Sequence, residues 1–95
     1  MEWKTEAWHG RVKAAEVAFG QGRYAEYVAQ IGPAYGWLDS FRTVGILCRL
    51  AHCHGLPEAR PAVEELAGLL TVHCPADAER LGQLSAALAG GVPGP

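Results

Sequence analysis

The sequence predicts an all-α fold of about five helices arranged as antiparallel hairpins. Three observations predict it. Apolar residues recur at steps of three and four, the spacing of one helix face. Gly and Pro punctuate that pattern at 20–22, 32–33, 55–57 and 75. No run alternates with the two-residue period of a strand, and no hairpin dipeptide lies between two such runs.

The first helix is expected from about Glu2 to Phe19. Trp8, Val12, Ala15 and Phe19 fall on one face, and Trp3, Ala7, Ala14 and Ala18 widen it. Gly20-Gln21-Gly22 ends it, because glycine tolerates the left-handed turn that closes helices. The second helix is short, about Arg23 to Ile31, with Tyr24, Tyr27, Val28 and Ile31 facing inward and Gly32-Pro33 stopping it. The third, about Leu38 to His54, carries apolar residues around most of its circumference. Phe41, Val44, Leu47, Cys48 and Ala51 are among them, which predicts a central, buried helix. Gly45 in its middle costs roughly 1 kcal/mol of helix propensity, a cost offset if a neighbouring helix comes close there. The fourth is expected to begin near Pro61 after a loose turn at 57–60, burying Ala59, Val63, Leu66 and Leu70. The fifth follows Pro75, with Asp77 as N-cap and Leu81, Leu84 and Leu88 inward.

At 95 residues the chain suits one domain. We place it at 1–90 and expect a flexible tail at 91–95. Charged residues are 19% and the net charge is −2. Before Gly55 there are six Lys/Arg and five Asp/Glu; after it, two and five. No basic run could neutralise a phosphate backbone, so nucleic acid is not an expected partner. The apolar runs at 44–48 and 66–72 fall short of the ~20 residues a membrane span needs, and the first ten residues lack the apolar stretch of a signal peptide. Three cysteines without framework spacing suit free thiols in a reducing compartment, and the expected location is cytoplasmic.

The densest chemistry lies at Arg49-Leu50-Ala51-His52-Cys53-His54. Cys48 and His52, four apart, share a helix face, a spacing that zinc sites use. Two ligands are too few, since structural zinc takes four and catalytic zinc three. Antiparallel packing of helices three and four would set His73 opposite residue 38, roughly 20 Å from His52 at ~1.5 Å rise per residue. A small zinc protein using Cys48 and His52 is therefore an alternative, and no cofactor is expected. Arg49 and His54 have an Arg-x4-His spacing that resembles the motif of HEPN-type helical ribonucleases. That resemblance implies a catalytic Arg49 and His54. Here Leu50 follows the arginine, and on a regular helix the two side chains lie ~140° apart, so they converge only if the helix breaks. Ser40 and Ser85 lack a nucleophile-elbow context, and Glu64 and Glu65, being adjacent, diverge on a helix.

A second resemblance covers about two thirds of the chain. AFGQGRYAEYV at 18–28 resembles the hairpin of a tetratricopeptide repeat: Ala14, Ala15 and Ala18 match the small positions of its first helix, Gly22 and Tyr24 the turn, and Glu26 the acidic residue after it. Residues 47–70 repeat the pattern more loosely. Leu47, Cys48 and Ala51 match the first helix there, Gly55 and Pro57 the turn, and Ala59 and Val63 the second helix. From Gly22 to Gly55 is 33 residues, against a repeat period near 34. Tyr27, Pro33 and Pro61 depart from the pattern. The resemblance implies a non-catalytic protein-interaction module that binds another protein or peptide. Two hairpins are fewer than such arrays usually need, so a homodimer is expected. Trp3, Tyr35, Trp37, Arg42 and Arg49 are the candidate partner-binding residues, since Trp, Tyr and Arg concentrate at interface hot spots; Trp8, on the long apolar face, is assigned to the core.

Overall fold

A computed structural model describes residues 1–90. It contains five α-helices: α1 (Trp8–Gly20), α2 (Tyr24–Ala34), α3 (Ser40–His54), α4 (Arg60–His73) and α5 (Pro75–Ala89), with a 3-10 turn at Tyr35–Trp37. No strand occurs among the described residues. The tail assigned to 91–95 lies outside them.

The turn between α1 and α2 forms as the glycines predict. Gly22 has φ +75°. The Arg23 N–H donates to the Ala18 carbonyl (2.8 Å) and the Gly22 N–H to that of Phe19 (3.1 Å), so the last carbonyls of α1 are satisfied. The hairpin closes with Phe19 edge-on to Tyr24 and Tyr27, at 5.2 and 5.0 Å between ring centres. α4 starts at Arg60, one residue before the expected position, with Pro61 in its first turn where its missing N–H costs nothing. Its inward stripe Val63, Leu66 and Leu70 is buried, and so is Ala59 just before it.

Four local expectations are corrected. α1 begins at Trp8, not near Glu2. Residues 1–7 instead form a strap over the far end of α2: the Thr5 N–H donates to the Pro33 carbonyl (2.8 Å), and Trp37 Nε1 donates to the Thr5 carbonyl (2.7 Å). Lys4 turns the strap with φ +60° and lays its ammonium over the Trp37 ring, 4.5 Å from the centroid. Second, α2 continues through Pro33 to Ala34, because a proline in the last turn removes only one donor. Third, Asp77 is not the cap of α5. It lies in the first turn, where it accepts a hydrogen bond from the Tyr35 hydroxyl (2.8 Å). Fourth, Leu88 is exposed.

The largest correction concerns the centre of the molecule, which is α2. Tyr27, Val28, Ile31, Gly32, Pro33 and Ala34 are all buried, and α1, α3 and α4 all pack on this helix. α3 buries only Thr43, Leu47, Leu50, Ala51 and Cys53, and its most extensive helix contact is with α5 rather than α4. Asp39 caps it, accepting from the Arg42 N–H at 2.8 Å. Phe41 is 90% and Val44 52% exposed, and Cys48, expected in the core, is exposed too. A Cβ built on Gly45 meets nothing within 4 Å, so no neighbour explains that glycine. When apolar residues surround a helix, periodicity cannot say which third of them faces the core.

Candidate functional site

α1 and α3 both pack on α2 and leave a groove of about 460 Å³. Tyr27 and Ile31 of α2 line it, and Leu38 reaches it from the loop ahead of α3. Trp8, Val12, Lys13 and Glu16 form the α1 wall; Arg42, Gly45, Ile46 and Arg49 form the α3 wall. Helix periodicity explains both walls: steps of four and four carry 8–12–16, and steps of three and four carry 42–45–49. Trp8, assigned to the core by pattern, is half-buried and stacks near-parallel with Trp37 at 6.3 Å.

Tyr27 is the unusual member of this lining. The residue is 1% exposed, yet its hydroxyl has no hydrogen-bond partner. Burial pushes its pKa above the ordinary tyrosine value, and the positive charge of nearby Arg49 opposes that rise. The Arg49 guanidinium itself lies over the Phe19 ring, 4.7 Å from its centroid. The groove thus holds a buried hydroxyl beside a guanidinium, with no acceptor for the hydroxyl proton.

The candidate partner residues separate into two groups. Arg42 and Arg49 are exposed and line the groove. Trp37, 41% exposed, borders the strap. Tyr35 is buried at 2% exposure and holds Asp77, so it offers no surface to a partner; that assignment is corrected. Trp3 is half-buried, stacked on His73 (4.7 Å, 5° between planes) and tilted against Tyr35 at 5.9 Å.

Arg49 and His54 do not meet. α3 runs unbroken from Ser40 to His54, so the two point to different sides. His54 lines a separate cavity of about 330 Å³ bordered by α4 and α5, with Nε2 3.9 Å from Glu64. Cys48 and His52 share the exposed side of α3, where His52 stands edge-on to Tyr24 at 5.5 Å. Among the described residues no three His, Cys, Asp or Glu side chains gather as metal ligands. Cys53 lies on the other side of α3 from Cys48 and is buried, which pushes its thiol pKa up to about 11.

Sequence reading missed Tyr27, Trp8, Lys13 and Glu16 as site residues. The available signal was a tyrosine on the buried face of α2, whose hydroxyl needs a partner that the sequence does not specify. No helix of the described residues is long and apolar enough to cross a membrane. No family model matches the chain, and neither a curated protein nor a solved structure matches it.

Proposed function

We propose that this chain is a non-catalytic protein-interaction module that pairs with a second copy of itself through the outer face of α3. The observation that carries the reading is the exposed stripe of Phe41, Val44 and Cys48, one apolar residue per turn with no covering element. Gly45 adds open space beside Val44, so a second helix can approach closely there. A second copy is the occupant that fits, because it presents the same apolar stripe. In an antiparallel pairing centred on Val44 and Gly45, the two apolar stripes face each other along their length. The helix dipoles also oppose one another in that arrangement.

The same register sets Phe41 of one copy level with Cys48 of the other, which supplies the test. Phe41→Cys should form a disulfide-linked dimer under mild oxidation, and Phe41→Cys with Cys48→Ser should form far less. Light scattering should give a dimer mass for the natural sequence and a monomer mass for Phe41→Asp. A mass near 10.1 kDa at high concentration for the natural sequence would overturn the reading.

A further inference from the structure

We infer that the groove between α1 and α3 is a binding site for a small amphipathic carboxylate, an acid with one anionic head and an apolar body. The head would sit between Tyr27 and Arg49. The Tyr27 hydroxyl is buried with no acceptor for its proton, and the guanidinium beside its oxygen offers further donors. A carboxylate oxygen accepts from both at once, and charge-assisted bonds of this kind are the stronger class. A neutral carbonyl would accept from both but lack the charge that strengthens the bond to the guanidinium.

The surroundings favour the same ligand. Trp8, Val12, Ile31 and Ile46 give the walls an apolar character suited to an alkyl chain or an aryl ring. Lys13 and Arg42 add positive charge at the rim, against the single carboxylate of Glu16. The volume of about 460 Å³ lies within the range of small-molecule sites. The near-complete burial of Tyr27 argues for a slender molecule rather than a protein segment, because only a narrow head can reach its hydroxyl. Arg49 is itself exposed, so it can shift to admit that head.

The site draws on Arg42 and Arg49 on the groove side of α3, the pairing stripe on Phe41, Val44 and Cys48, and the experiment keeps the two apart. Octanoate and 3-phenylpropanoate are titrated into the natural chain and into Phe41→Asp, following the indole N–H resonance of Trp8. At least one acid should shift that resonance saturably in both proteins, whatever their mass. 1-Octanol should bind at least tenfold more weakly. Tyr27→Phe, which removes only the hydroxyl, should weaken the acid about tenfold, the effect of about one hydrogen bond to a charged group, and leave octanol unchanged. Arg49→Gln should do the same. Failure of both acids to move Trp8, equal binding of octanol and octanoate, or undiminished binding to Tyr27→Phe would each overturn the assignment.

Discussion

α2 and α3 have similar apolar content and opposite places in the molecule. α2 is short, ends in Gly-Pro-Ala, and is enclosed by its neighbours. α3 is longer, begins with a proper side-chain cap, and turns Phe41, Val44 and Cys48 outward. The difference teaches that apolar residues do two jobs here. On α2 they hold the monomer together. On one side of α3 they do the same, and on the other they stand exposed.

Substitutions can break or sharpen that contrast. The largest effect is expected inside: Ile31→Ala on α2 or Leu66→Ala on α4 should cost about 2–5 kcal/mol in urea unfolding. Phe41→Ala, by volume a larger deletion, should change monomer stability by less than about 0.5 kcal/mol because the ring is already in water. Equal costs at 31 and 41 would mean the outer face is buried in the folded monomer. Next, Tyr35→Phe should cost about 1–3 kcal/mol by leaving Asp77 without its donor. Tyr27→Phe should be neutral or slightly stabilising, since it removes a buried hydroxyl that lacks a partner. The two tyrosines, both on the buried side of the α2 region, thus report whether each hydroxyl is satisfied.

Alkali provides a further comparison. Burial raises the pKa values of Tyr27, Tyr35, Cys53 and Cys74 above their ordinary values, with the Asp77 hydrogen bond contributing for Tyr35. The unfolded chain therefore loses these protons first as pH rises. Their contribution is complete well below pH 9, where the unfolded groups are still neutral, and declines as the pH reaches and passes it. Cys53, raised from 9.0 to about 11, should produce a fall in stability across that window. Unfolding midpoints measured from pH 8 to 11 should decrease, and Cys53→Ala should flatten part of the slope. The smallest effects are at two glycines. Gly22→Ala should destabilise by about 1 kcal/mol, because φ +75° is strained for any side chain. Gly45→Ala should stabilise by about 0.5–1 kcal/mol, because that helical position is open. Circular dichroism melts of the pair, at a concentration where the chain is monomeric, should move in opposite directions.

Much of the fold was legible because its signals are local. The Gly22 turn, the Pro61 start and the inward stripes of α2 and α4 each follow from a few neighbouring residues. The strap was not legible: nothing within residues 1–7 says that Thr5 will bond Pro33 or that Trp3 will stack on His73. The environment of α3 was misread for a different reason. Its apolar residues leave several faces equally able to serve as the core side, and the choice is made by where α2 and α5 lie. The groove was legible only in part. Arg42 and Arg49 stand out as the polar stripe of an apolar helix, whereas the state of the Tyr27 hydroxyl depends on residues contributed by three separate helices.

The two cysteines of α3 give the molecule a built-in clock. In the single chain Cys48 lies open to solvent, so at dilution that keeps copies apart an alkylating reagent meets it without unfolding; Cys53, five positions on, is sealed in the core and meets the same reagent only while the core is open. Mass spectrometry of one sample then times both modifications, and the ratio of their rates tells how seldom the interior breathes.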